Sequence, residues 1–478
     1  MPTHRQNPQA IADQVHEKTI EILKEVGFCV PDDQLLDRLD SAGLLVDRKS
    51  QMVRIDRALL ESALATLPKD LRLHRRSGSP LPHFREEPCF MGAGTPVHVF
   101  DLDSGEQRSS TWRDVRQLVT IQDALPQVDI VRPTVTATDL GPASDLVEIA
   151  ELLRGTDKPI VHRTLAAERV DAAAAMIFAA AGGRESFQSH PNFATLYCPI
   201  SPGYFTAENI HCMLRWAEHG IPITLLSMAM GGASAPATLL GELVVINADI
   251  MAWVVALQML YPGTPLLYGS VSAVLDMHTG LLPLGAPERG MINSGAAIMA
   301  QRYSLPSMCG GLSSDAKELD AQAGFEKVAT AIPLLEHNAS IIYGVGATDA
   351  GSTISYTQMV FDDEIIAGLR RLEEGISLHD LEEEVDLIKS LTPRGNFMSA
   401  KHTLRHYKEH WYPKIISRDN YQGWKDKGQN IASICSQKAR EIIANHRPPP
   451  LSPATEAELQ QIVRDFIPGF SFDNLARG

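Results

Sequence analysis

From about residue 126 onward, short apolar runs recur every 30–45 residues or so with longer helical patterns between them. That rhythm limits the fold more than any other feature of the chain. The runs fall at 128–131, 159–162, 193–197, 221–226, 265–269, 305–310 and 340–344. Helical spacing fills the gaps, as at 239–260 and 290–303. Strands alternating with helices predict a parallel sheet covered by helices. None of the turns carries a GxGxxG phosphate loop, and each run ends in a Gly-, Ser- or Asp-rich loop. A closed (β/α)8 TIM-type barrel is therefore preferred over an open doubly wound sheet, with the loops converging at the C-terminal face. Seven βα units can be placed; the eighth strand cannot.

Around this core the chain divides into three. Residues 1–125 read as a helical and short-strand extension packed on the barrel, 126–395 as the catalytic core, and 396–478 as a helical tail. In the extension, helices are expected at 11–26, 33–42 and 57–67, and another opens after an N-cap at Thr111. Segments 71–75 and 96–101 read as strands, paired with each other.

The chain carries 43 basic and 58 acidic residues, a net charge of −15. That sign argues against nucleic acid and against an anionic membrane surface as partners. No run approaches 18 uninterrupted apolar residues, and residues 1–6 lead into polar sequence, so neither a membrane span nor a secretory signal is expected. The six cysteines are scattered without a CxxC pair, which suits reduced thiols and a cytoplasmic protein. A homo-oligomer is compatible with the sequence but not readable from it.

Several mechanisms find no support. The chain has no GxxxxGK[ST], no HExxH and no GxSxG. His211 and Cys212 are neighbours on a helix, about 100° apart, and cannot both ligate one metal; no metal site is expected. Two loops stand out. Gly310-Gly311-Leu312-Ser313-Ser314-Asp315-Ala316-Lys317 gathers hydroxyls, a carboxylate and an ammonium behind two glycines, although a capped helix start also accounts for it. Gly344-Val345-Gly346-Ala347-Thr348-Asp349 repeats the theme. Asp362, Asp363 and Glu364 are consecutive on a helix and cannot share one face. Tyr197, Tyr268 and Tyr343 end or nearly end their strands, where aromatic faces serve a cation, although each reads equally well as core.

The order of several short motifs resembles the trimethylamine methyltransferase superfamily, in its branch without pyrrolysine. These are His16-Glu17, Val26-Gly27, Asp101-Leu102-Asp103-Ser104-Gly105, Asp157-Lys158-Pro159-Ile160, Ser314-Asp315-Ala316-Lys317, Asp320-Ala321-Gln322-Ala323-Gly324, Asp362-Asp363-Glu364-Ile365, His402-Thr403-Leu404-Arg405 and Trp411-Tyr412-Pro413-Lys414. The resemblance implies a (β/α)8 barrel that moves a methyl group from a quaternary or other methylated, betaine-like amine to the Co(I) of a corrinoid. That corrinoid is carried by a separate protein, and no cofactor is bound permanently. On this reading Asp315, Lys317 and Asp349 are the catalytic candidates. Ser313, Ser314, Gln322, Tyr343, Tyr268 and Tyr197 are candidates for substrate binding, with loop backbone from Gly310, Gly311 and Gly346. Lys317 and the serine hydroxyls would take a substrate carboxylate, and Asp315 or Asp349 would face the ammonium. The two loops hold neither Arg nor His, so glycine betaine is not favoured over other methylated amines. Two alternatives remain: a quaternary-amine-binding or scaffolding subunit without turnover, and a lyase or aldolase using Lys317 as a Schiff-base nucleophile.

Overall fold

The computed structural model describes residues 7–83 and 86–473; residues 1–6, read above as lacking a signal, lie outside them. Six of the seven expected runs form strands of one parallel sheet: β2 (Ile160–Val161), β3 (Phe193–Tyr197), β4 (Ile223–Ser227), β5 (Leu266–Ser270), β6 (Ser307–Gly310) and β7 (Ile341–Val345). The sheet has a seventh member, β1 (Cys89–Gly92), which pairs in parallel with β7. The spatial order is β1-β7-β6-β5-β4-β3-β2. The sheet thus begins inside the span expected to be an N-terminal extension.

The sheet curls until its two edges meet the same segment. Met91 bridges Ile130, and Val131 bridges Ile160, both in parallel. The Ile130 amide donates to the Phe90 carbonyl at 3.2 Å, and the Val131 amide to the Pro159 carbonyl at 2.9 Å. Run 128–131 is therefore the link between β1 and β2.

Alternation of side chains along each strand makes two cores. Met91, Ile130, Val161, Leu196, Leu226, Leu267, Met308 and Ile341 fill the inside of the curl. Phe90, Ile160, Phe193, Tyr197, Leu225, Tyr268 and Ile342 face outward into the layer beneath the helices. Leu71, Leu73 and Leu81 join the inner cluster. Their segment is tied to the N-terminal ends of the strands by the His74 amide on the Pro191 carbonyl (2.9 Å) and the Arg76 amide on Asp157 (2.8 Å). The pairing expected between 71–75 and 96–101 does not occur. His74 bridges Pro80, whereas His98–Phe100 lies between Gln107–Ser109 and Thr353–Ser355.

Helix Leu239–Leu260 is long and apolar enough to cross a membrane, but 78% of its most apolar window is buried inside the protein. Its Asn247 donates to Thr19 (2.7 Å) and Tyr303 (3.0 Å) and accepts from the Tyr268 hydroxyl (2.9 Å).

The acidic triplet on helix Tyr356–Glu374 is split three ways by the 100° turn per residue. Asp362 pairs with the Lys327 Nζ at 2.8 Å, both side chains fully buried. Asp363 accepts from the Gln127 amide at 2.8 Å. Glu364 accepts from the Lys414, Ile415 and Ile416 amides at 2.8, 2.9 and 3.1 Å, which fastens the C-terminal segment to the body. Thr111 does cap its helix, in a capping box with Asp114.

Removing one member of a buried ion pair leaves the other charge uncompensated, at a cost of about 3–5 kcal/mol. Asp362→Ala is expected to lower stability on that scale in urea unfolding. Lys327→Met with Asp362→Leu together should cost clearly less than Asp362→Ala alone; equal losses would mean that lost packing, not an orphaned charge, sets the effect.

Candidate functional site

A cavity of about 420 Å³ lies at the C-terminal ends of the strands. Each strand, and the bridging segment, sends residues to it. Ala93 follows β1, Arg132 follows Val131, and Arg163 follows β2. Leu196 and Cys198 come from the end of β3, and Leu226 and Met228 from β4. Val271 follows β5, Ser313 lies beyond β6, and Tyr343 and Gly344 belong to β7. Helix Pro287–Arg302 adds Arg289 from its first turn. Among the described residues that line the cavity there are three arginines and no Asp or Glu.

Arg132 and Arg289 are held by their surroundings. Gln122, fully buried, clamps the backbone of Arg132: its amide donates to the Arg132 carbonyl at 2.7 Å, and its oxygen accepts from the Arg132 amide at 3.2 Å. Gly92 makes this possible, because a β-carbon there would lie 2.2 Å from the Gln122 oxygen. The Arg132 guanidinium is only 3% exposed and lies 5.2 Å from the centre of the Tyr343 ring. Its Nε and Nη1 have no hydrogen-bond partner. Arg289 is 2% exposed and donates from Nη1 to the Val271 carbonyl at 2.9 Å; its Nε is unpartnered. Gly310 gives it room, since a β-carbon there would come within 2.5 Å of Nη2. Arg163 follows His162, whose Nε2 is 2.9 Å from a buried Glu148 carboxylate. Among the described residues none of the three arginines forms an ion pair.

Burial lowers the pKa of Arg132 and brings that of Arg289 down to about 10, so the Arg289 guanidinium stays charged at neutral pH. Burial raises the Cys198 pKa despite the pull of Arg163 and Arg132, so Cys198 is a neutral thiol. The Tyr343 hydroxyl reaches over Gly94, where a β-carbon would lie 2.5 Å from it. At Gly344, φ is +154°, and a side chain would run into the Gly311 carbonyl 2.0 Å away. The two glycines let the ends of β6 and β7 touch.

The residues singled out from the sequence separate into two sets. Ser313, Tyr343 and Gly344 line the cavity; Ser313 is buried and its hydroxyl donates to the Gly311 carbonyl at 2.9 Å. Ala347 of the second loop lines it too, whereas Ser314, Asp315, Lys317, Gln322 and Asp349 do not. Glu326 accepts from the Ser314 hydroxyl (2.8 Å), the Asp315 amide (2.8 Å) and the Gln322 side chain (2.9 Å). The Asp315 carboxylate accepts from the Leu284 amide at 2.7 Å, fixing a loop that carries Leu282 and Leu284 into the cavity. Burial raises its pKa. Lys317 does meet Asp349, at 3.3 Å, but its side chain is 66% exposed and outside the cavity. That is not the apolar surrounding a Schiff-base lysine needs. Gly346 packs under Met359 and donates its amide to Asp362 at 2.7 Å.

Tyr197 and Tyr268, expected at the pocket, face the opposite way. The Tyr197 hydroxyl donates to the Thr164 carbonyl at 3.1 Å, and Tyr268 points at Asn247. Both occupy the outward phase of their strands, while Leu196, Cys198 and Leu267 take the inward phase. The three arginines were missed. Arg132 and Arg163 each stand directly behind an apolar run, and that position was the available signal.

The family profile for trimethylamine methyltransferase (MTTB) matches residues 2–467. The chain belongs to the trimethylamine methyltransferase family. It is 32% identical over 454 residues to the trimethylamine methyltransferase of Desulfitobacterium hafniense, covering 94% of this chain and 92% of that one. It is 28% identical over 458 residues to a glycine betaine methyltransferase from a second strain of that organism, covering 94% of both. Among solved structures it is similar to the monomethylamine methyltransferase of Methanosarcina barkeri, at 13% identity and a TM-score of 0.48 over 91% of this chain and 92% of that one. Family membership makes the protein a methyltransferase.

One further buried acid borders the C-terminal face. Glu242, 0% exposed, lies against Gly231, in the short pair of strands Met230–Gly231 and Ala273–Val274 formed by the loops after β4 and β5. Neither carboxylate oxygen has a hydrogen-bond partner. Burial pushes its pKa from 4.5 up to about 7. A raised carboxyl pKa favours folding below 4.5, and that contribution is lost as pH rises through 7. A carboxyl raised that far corresponds to roughly 3 kcal/mol. Glu242→Gln should therefore gain on the native chain by about that amount between pH 4.5 and 8, whatever constant offset the amide brings. A stability gap that stays flat over this range in urea unfolding would refute the assignment.

Proposed function

We propose that this protein is an eight-stranded (β/α) barrel enzyme that removes a methyl group from a methylated amine bearing a carboxylate. The barrel of this reading begins at Cys89 and counts segment 130–131 as its second strand, supported by the bridges that join it to β1 and β2. The observation that carries the substrate reading is the set of buried, unpaired guanidiniums of Arg132 and Arg289, with Arg163 beside them, in a cavity whose lining has no acid.

A methylated ammonium alone would be repelled by three positive charges at low dielectric. A betaine brings its own anion. Its carboxylate takes free, buried N–H groups of these arginines in charge-assisted hydrogen bonds, which fixes the molecule by its acid end. The ammonium is then directed away from the arginines and toward the mouth. Holding one N–CH3 bond in a single direction is the orientation task this reaction poses. The leaving group is a neutral amine, so no proton has to be delivered to it. The relative named glycine betaine methyltransferase is consistent with a zwitterionic substrate.

The methyl acceptor of this reading is a corrinoid on a separate protein, which supplies Co(I) as the nucleophile. The loops at the C-terminal face suit such a visitor. They expose Val97, Leu165, Ile200, Met228, Met277 and Leu281, an apolar rim around a cationic cavity. The remaining elements of the proposal are a cytoplasmic location, in keeping with six free cysteines, and a role for Asp315, Lys317 and Asp349 in shaping the loops.

The test is methyl transfer to cob(I)alamin or to a corrinoid carrier, followed by the methylcobalamin spectrum. Betaines should be demethylated and trimethylamine should not. Arg132→Met and Arg289→Met should each lower kcat/KM for a betaine about 10–100-fold, the worth of a charged hydrogen bond. Equal turnover of trimethylamine and betaines would sink the substrate reading. Betaine binding without transfer to either acceptor would favour a binding subunit.

A further inference from the structure

The cavity has more positive charge than one carboxylate can use, and that charge is divided between two places. Arg132 and Arg163 follow the bridging segment and β2 on one side of the ring. They act on each other and both act on Cys198. Arg289 enters from the other side, over the Val271 carbonyl and Gly310, between β5 and β6. Asp315 acts on Arg289 and not on Arg132, while Tyr343 acts on both. The Tyr343 ring lies against Arg132, between the two loci. Both loci retain unpartnered, buried N–H groups.

A zwitterion with one acid group would leave one locus bare and add a fourth positive charge to the cavity. Buried N–H donors without acceptors are costly, and more so when charged. Two separate acids on the substrate would meet both loci.

We propose, resting on the substrate reading above, that the natural substrate is a methylated amine with two separate acidic groups. One is held by Arg132 and Arg163 and the other by Arg289. The chemistry that fits is an N-methylated amino dicarboxylate. The 420 Å³ volume leaves room for the second acid group.

Calorimetric titration of the purified full-length protein separates the cases. The probes are glycine betaine, N,N,N-trimethylaspartate, N,N,N-trimethylglutamate and phosphocholine. A dicarboxylate is expected to bind at least tenfold more tightly than glycine betaine. Arg163→Gln should reduce dicarboxylate affinity at least tenfold and glycine betaine affinity by distinctly less. Arg163→Lys should recover part of the loss, which separates the charge from a folding defect. Glycine betaine binding as tightly as either dicarboxylate would overturn this inference while leaving the betaine reading intact. Phosphocholine binding tightest would overturn it too, by placing both negative charges on one head group. Binding of none of the four would overturn the inference and the betaine reading together.

Discussion

The buried pair of Lys327 and Asp362 holds the part of the fold on which the site depends. Its members come from neighbouring helices, Ala321–Glu336 and Tyr356–Glu374, and both are fully buried. Burial lowers the lysine pKa and raises that of the aspartate. Each charge is nevertheless supported by more than its partner. Lys327 also donates to the Gly344 carbonyl at 3.2 Å, and Asp362 accepts from the Gly346 amide and the Gln358 side chain, both at 2.7 Å. Apolar residues of similar size could replace such a pair at little cost in stability. They could not satisfy the backbone of Gly344 and Gly346. The pair thus fixes the irregular end of β7, where the register shifts between Tyr343 and Val345. Tyr343 faces inward at that point, against Arg132.

A cationic cavity at first looks wrong for the positively charged methyl donor proposed above. The electrostatics of the proposed step resolve this. As the methyl group departs, the ammonium becomes a neutral amine while the carboxylate keeps its charge. The arginines therefore interact more favourably with the product side than with the substrate. Only interactions that strengthen toward the transition state accelerate a reaction. An aromatic cage does the reverse, because it stabilises the cation that must be lost. Tyr343 is the single aromatic residue lining the cavity among the described residues, and Arg132 already lies against its ring.

The helices and the βα rhythm were legible because their periodicity is long and repeated. Strand β1 was not. Cys89-Phe90-Met91-Gly92 is short and lies in a Pro- and Gly-rich stretch, with nothing local to tie it to a partner more than 240 residues away. The tyrosines failed for a different reason. Strands buried on both faces carry no polar phase, so apolar runs such as Phe193–Tyr197 do not say which residues point inward. Tyr343 faces in, whereas Tyr197 and Tyr268 face out. Loop chemistry misled similarly. Ser314, Asp315 and Gln322 looked like a site because polar groups clustered, yet they converge on Glu326, which lies in the helix that follows. The absence of Arg from the two conspicuous loops was also a misleading sign, since the cavity draws its cations from other strands.

The distribution of charge is itself an argument that the cavity is built for an anion. The chain has 15 more acidic than basic residues, yet among the described residues no Asp or Glu lines the cavity. Elsewhere the buried Arg169 does find a carboxylate, Asp145 at 2.9 Å. At the cavity Gln122 instead holds the Arg132 backbone and Gly310 makes room for Arg289, and among the described residues neither guanidinium has a carboxylate in an ion pair. An acidic exterior around a cationic interior also orients what enters. Field lines from the arginines concentrate in the low-dielectric mouth. A zwitterion of the kind proposed would be drawn in by its acid end, which leaves its methylated end nearest the loops at which the proposed acceptor would arrive.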